Sequence, residues 1–248
     1  MKRRTVGLAV LGLAAYALFL VALLPARVIT SRLALPPGLS LASVEGTAWS
    51  GQARLSSGAM NPAASVDLRW RWRPGSLLSG RMAYDVVASG NRLDAHGTVA
   101  RGLTATSVED LALDAEAASI AAWIPFASAW QPAGRVRAHA DRVTFDGREL
   151  QGHADAEWSD AAIALSSVKP IGSYAMKVDA AGGPAKVTVT TVKGPLRVVG
   201  DGTLEGLARF AFTGEARAEG PDAQALNPLL DLLGPRRPDG SRALRFAS

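Results

Sequence analysis

The sequence predicts a mainly β protein, in which a single N-terminal transmembrane helix is followed by a curved antiparallel β-sheet domain, open and half-barrel-like, with one or two short helices. Three observations predict it. Residues 5–24, "TVGLAVLGLAAYALFLVALL", carry no charge, and as a helix they span roughly 30 Å, the thickness of a bilayer's hydrocarbon. Downstream, apolar residues recur with period two, the mark of half-buried strands. Gly, Pro, Asp and Asn signals such as Asp146-Gly147 and Gly182-Gly183-Pro184 separate those segments, as hairpin turns require.

The apolar run is longer than the roughly 7 to 15 residues of a signal-peptide core, and Pro25 follows it without a small-x-small cleavage site. An uncleaved anchor is therefore expected. Lys2, Arg3 and Arg4 precede the run and Arg27 and Arg32 follow it, an excess that places residues 1–4 in the cytoplasm. Residues 25–40 read as a linker, and 41–248 as a β-rich domain beyond the membrane.

The strands announce themselves in order. In "SVDLRWRWRPG", Val66, Leu68, Trp70 and Trp72 fall on one face and Asp67, Arg69, Arg71 and Arg73 on the other, before Pro74-Gly75 ends the segment. The alternation returns with Met82, Tyr84 and Val86, with Leu93, Ala95 and Val99, and with Leu150, Ala154, Ala156 and Trp158. It continues in "SYAMKVDA", "AKVTVTTV", "PLRVVGDG" and "ARFAFTGEARA". One polar and one apolar face fit an antiparallel sheet. Helical spacing is confined to two places. "EAASIAAWIPFASAW" fits a short helix before Pro125 or a strand-loop passage; Leu226, Leu229, Leu230 and Leu233 recur at helical intervals between Asn227-Pro228 and Gly234.

Composition narrows the function. The 48% hydrophobic content suits an ordered core, and the net charge of +5 comes from arginines scattered singly, so nucleic acid is not an expected partner. The absence of cysteine removes thiolate zinc sites and cysteine nucleophiles. "RWRWR" evokes nucleic-acid binding, but period two separates the rings from Arg69, Arg71 and Arg73, which form a candidate surface for anionic headgroups or an acidic partner. "VVGDGTLEG" imitates a dinucleotide fingerprint, yet its third glycine, Gly206, comes one place late, and a β-turn is the better account. No G-x-S-x-G elbow or H-E-x-x-H pair occurs, and no enzyme is expected.

"AHAD" and "GHAD" flank Asp146-Gly147. A three-residue loop with Gly147 in its left-handed position would set His139 opposite His153, with Asp141 and Asp155 on the same face. Such a set is able to bind a divalent metal. Arg135, Arg137, Gln151 and Glu157 share that face, so a solvated polar surface is the preferred reading; neither metal nor cofactor is expected.

"VEGTAWSGQARL" does not fit one uninterrupted strand. Gly46 and Gly51 mark turns or bulges on either side of Trp49, whose buried N–H needs an acceptor, Ser50 or a nearby carbonyl. Gly46, Thr47, Trp49, Ser50 and Gly51 thus read as a structural motif. With "LLPARVI" before it, and "LLSGRMAYDV", "TVKGPLRVVGDGTLE" and "ALNPLLDLLGPRRPDGSRALRF" after it, the chain resembles the type II secretion system protein N family in order and spacing.

The resemblance implies a single-pass inner-membrane protein with a periplasmic domain, a non-catalytic accessory in the export of folded proteins across the outer membrane. Its partners would be other secretion components, the inner-membrane platform and the secretin. The family is distantly similar to AsmA-like proteins, which implies an alternative: a lipid-binding or lipid-transfer module, with lipid as a further ligand.

Overall fold

The structure, a computed structural model, describes residues 12, 13, 16, 19–30, 39–57, 64–124, 127–205 and 209–247. Among them are thirteen strands: β1 (Leu39–Gly46), β2 (Ser50–Ser57), β3 (Ser65–Arg73), β4 (Met82–Gly90), β5 (Leu93–Arg101), β6 (Thr106–Glu116), β7 (Ala133–Phe145), β8 (Leu150–Ala162), β9 (Gly172–Ala181), β10 (Ala185–Lys193), β11 (Leu196–Glu205), β12 (Arg209–Ala218) and β13 (Arg242–Ala247). They form one antiparallel sheet in strict chain order, a meander in which each strand pairs with its sequence neighbours. β1 and β13 are its two edges, so the sheet is open.

The period-two pattern becomes two chemically distinct faces. One row of directly paired residues runs from Ala53 through Leu68, Ala88, Ala95, Leu113, Ala138, Ala156 and Met176 to Val189. The neighbouring row on the other face runs from Gln52 through Arg69, Val87, His96, Ala112, His139, Asp155 and Lys177 to Thr188. Side chains alternate across a strand, so the register alone makes one face apolar and the other largely polar.

Helices close only part of the apolar face. α1 (Ala26–Thr30) packs on β1, and α2 (Ala117–Ala121) lies against β6 and β7. α3 (Asn227–Leu233) has Pro228 in its first turn and seals the far end. Leu226, Leu229 and Leu230 are fully buried there with Ala161, Ile171, Tyr174, Leu196, Phe212 and Leu244. The guanidinium of Arg242 on β13 pairs with Asp231 on α3, fixing helix to edge.

Three sequence expectations change. "VVGDG" is the interior of β11, not a turn. A Cβ on Gly200 would lie 2.5 Å from the Phe212 ring and one on Gly202 3.2 Å from it; these glycines make room for an aromatic side chain on the next strand. The β7–β8 connection has four residues, 146–149, because Phe145 pairs with Leu150. A register shift between His139 and Val143 then sets His139 opposite Asp155 rather than His153. The expected linker 25–40 contains α1 and the start of β1.

The expected membrane helix, 5–24, lies mostly outside the described residues. Those described within it are helical at 12, 13, 16 and 19–22. No helix among the described residues is long and apolar enough to cross a membrane.

Candidate functional site

Residues 47–49 form the tight turn between β1 and β2, so the expected bend is a full hairpin reversal. Gly46 has φ +88°, and a Cβ there would lie 2.5 Å from the Ser50 carbonyl oxygen; only glycine closes this turn without displacing backbone. Gly51 serves differently. It pairs with Trp70, and its missing Cβ lets the Trp70 ring lie across the hairpin. Thr47 locks the turn from inside. Its Oγ1 accepts hydrogen bonds from the backbone N–H groups of Trp49 (3.3 Å) and Ser50 (3.2 Å), while its own N–H donates to the Ser50 carbonyl at 2.9 Å. Ser50 pairs with Arg71 at the start of β2.

Trp49 turns out to be a junction between this hairpin and the apolar N-terminal segment. Its indole Nε1–H donates to the Val21 carbonyl at 2.8 Å, and the Ala48 N–H donates to the Leu24 carbonyl at 2.8 Å. The Val21 carbonyl also accepts the Leu24 N–H at 3.2 Å, so the indole adds a second donor to it, while the Leu24 carbonyl, at the segment's C-terminal end where intrahelical donors run out, takes the Ala48 N–H. Pro25 bridges Thr47, and Arg27 Nε donates to the Val44 carbonyl at 3.1 Å. The Trp49 ring is half-buried and packs on Trp72 with centroids 4.7 Å apart; the backbone N–H of Trp72 donates to the Trp49 carbonyl at 2.6 Å. Trp70 Nε1–H reaches the Thr47 carbonyl at 3.3 Å. Trp72 Nε1, by contrast, is buried with no partner among the described residues.

Arg69, Arg71 and Arg73 project from the polar face, as the alternation requires, and are exposed. Arg73 pairs with Asp85 at 2.7 Å and holds that carboxyl below the ordinary range. Among the described residues no ion pair engages Arg69 or Arg71, and both line a hollow of about 600 Å³ with Glu45, Gln52, Trp70 and Asp85.

Farther along the polar face, charges pair across strands. Arg54 beside Asp67 and Arg135 beside Asp114 each lower the partner's carboxyl. His139 bonds Asp141 at 2.9 Å, whereas His153 lies between Asp179 (2.6 Å) and Asp155 (2.8 Å). Asp179, then Asp155, raise the His153 pKa. The four sequence-selected residues therefore share a surface, but the two imidazoles take separate carboxylates. No group of three or more His, Asp or Glu side chains is placed to hold a metal ion among the described residues.

Val21 and Asp179 were not legible as partners, since a backbone carbonyl has no residue signature and Asp179 enters through the β8–β9 register. Leu77, Leu78 and Leu103 were also unmarked. They are 53%, 96% and 96% exposed, in the β3–β4 and β5–β6 connections. Leucines inside segments otherwise made of turn residues were the available signal.

The family model described as type II secretion system (T2SS), protein N matches residues 37–245. A Vibrio cholerae protein named type II secretion system protein N is 30% identical over 174 residues, which cover 69% of this chain and 67% of that protein. No solved structure matches.

Proposed function

The chain belongs to the type II secretion system protein N family, and from that membership we propose that it is a non-catalytic accessory component of the type II secretion system, held in the inner membrane by residues 5–24. Its sheet would then stand in the periplasm and contribute to export of folded proteins across the outer membrane. The observation that carries this reading is the extent of the family match, 37–245, which takes in strands from both edges of the sheet.

The architecture supports a role in assembly. The outer edges of β1 and β13 are partly covered, by Arg27 on the Val44 carbonyl and by Pro235 and Arg236 beside Arg242 and Ala243, and what remains of an edge strand accepts an extended segment of a partner by strand addition. The exposed Arg69, Arg71 and Arg73 offer an acidic partner a complementary surface. Platform and secretin subunits are the proposed partners. The family match names secretion and not lipid transfer, so the AsmA-like alternative is not carried forward.

Purification of the full chain from membranes in mild detergent tests the proposal. Platform or secretin subunits should co-purify, and deletion should reduce secretion. Unimpaired secretion in the deletion strain, with reproducible phospholipid as the one co-purifying species, would replace this reading with the lipid-binding one.

A further inference from the structure

We propose that two hairpin tips, at Leu77–Leu78 and Leu103, insert into the headgroup region of the membrane beside the anchor; the inference rests on the anchor reading above. The β1–β2 turn, the β3–β4 connection and the β5–β6 connection all lie at one end of the sheet, as the pairs Ser50–Arg71, Arg73–Ala83 and Arg101–Thr106 require. The first of these turns is hydrogen-bonded to the C-terminal end of the apolar segment through Val21 and Leu24. Successive hairpins are two strand spacings apart, about 10 Å, so the two leucine tips stand within a few tens of ångströms of that segment.

The tips have the chemistry of an interface. The first reads Arg73-Pro-Gly-Ser-Leu-Leu-Ser-Gly-Arg81, and the second begins Arg101-Gly-Leu103. Leu78 and Leu103 are each 96% exposed, which is costly in water and favourable among acyl chains. Arginines flank the first tip on both sides and precede the second, where their long stems let the charge stay at headgroup level. Arg73 and Arg81 are held by Asp85 and Glu109. Among the described residues Arg101 bonds the Thr106 hydroxyl and no carboxylate lies in ion-pair range of Arg69 or Arg71, leaving positive charge for anionic headgroups. Glu45, which lines the hollow with Arg69 and Arg71, and Asp110, close to Arg73, are further carboxylates near these tips.

The next connections at the same end are different. Asp146, Arg148 and Glu149 occupy the β7–β8 turn, and Gly182-Gly183-Pro184 the β9–β10 turn. Among the described connections at this end, exposed leucines therefore occur at the two that follow the β1–β2 turn and not at the next two.

The chain has no cysteine, so Leu78→Cys, Leu103→Cys and Leu165→Cys each accept one environment-sensitive fluorophore. Leu165 is 51% exposed beyond β8, at the opposite end of the sheet. The full chain is reconstituted in vesicles of phosphatidylethanolamine and phosphatidylglycerol and recovered by flotation. Probes at 78 and 103 should emit at shorter wavelength and be quenched by spin-labelled acyl chains, while the probe at 165 reports water. If the chain floats but 78 and 103 are as wet as 165, the tips do not insert and the inference fails while the anchor stands. A chain that does not float overturns both.

Discussion

Replacement of Trp49 tests the junction most directly, because its contributions separate. Trp49→Phe keeps a ring against Trp72 but removes the donor to Val21, and a single hydrogen bond is worth about 1 kcal/mol net. Trp49→Ala also removes the ring. The tilted pair with Trp72 contributes about 1 kcal/mol beyond its area, and roughly 80 Å² of apolar surface withdrawn from water by a half-buried indole adds about 2 kcal/mol. Area estimates from a folded structure are upper bounds, so the expected loss is about 3 kcal/mol for Trp49→Ala and about 1 kcal/mol for Trp49→Phe. Urea unfolding of the full chain in detergent, followed by circular dichroism, measures both. The reasoning is refuted if Trp49→Phe costs nothing, since the Val21 bond would then be immaterial, or if the two variants are equally destabilised, since the ring contact would then contribute nothing. A cycle with Trp72→Ala should show coupling of about 1 kcal/mol between the rings.

Trp72→Phe should leave stability within about 1 kcal/mol of the parent, because removing the partnerless Nε1–H offsets the smaller ring, an unsatisfied buried donor costing about 1 to 3 kcal/mol; a loss above that range in urea would indicate a partner for this N–H. Leu230→Ala should cost about 2 to 5 kcal/mol, since Leu230 is 2% exposed in the cluster that joins α3 to the sheet, and an unchanged melting temperature would remove α3 from the core. His153 gains its partners on folding and has a raised pKa, so its contribution is fully present below the ordinary histidine range and disappears as pH rises through the raised value. Imidazole NMR should show its midpoint falling in Asp179→Asn, and an unmoved midpoint would discount that contact. Asp67 and Asp114 behave oppositely: their pKa values are lowered by Arg54 and Arg135, so their contribution holds above the ordinary carboxylate range and is lost as pH falls, weakly and with salt dependence because both are exposed.

The sheet was legible because half-buried strands write their exposure into alternate positions. Arg69, Arg71 and Arg73 are exposed and Val66 is buried, as "VDLRWRWR" implies. The leucine spacing around α3 was legible for the same reason at a helical period. What period cannot convey is register. The histidine pairing hung on the length of one connection and on the irregularity between His139 and Val143, and a shift of this kind moves every partner after it. Gly200 and Gly202 were ambiguous because a turn and a close approach use the same residue; only the position of Phe212, one strand away, distinguishes them. Trp49 was recognisable as a large ring flanked by glycines, but its acceptor lies 28 residues back in sequence and is a carbonyl that any residue would carry.

The two ends of this meander are held by different means, and that difference bears on function. Around β9 to β13 the apolar face is covered from within, by α3 and a cluster of buried aliphatic and aromatic side chains, and the glycines of β11 and β12 give the Phe210 and Phe212 rings room to pack there. Around β1 to β3 the described covering includes Trp49, Trp72 and the end of the apolar N-terminal segment. Strand pairs contribute stability through the side chains on a shared face, so a hairpin whose face is completed by that segment is coupled to wherever the segment resides. Between the two, the row from Ala88 to Ala156 is mostly alanine and half-buried, with α2 against β6 and β7. Continuous hydrogen-bonded ladders join the β1–β2 hairpin, which the N-terminal segment helps to cover, to the end of the sheet that α3 covers.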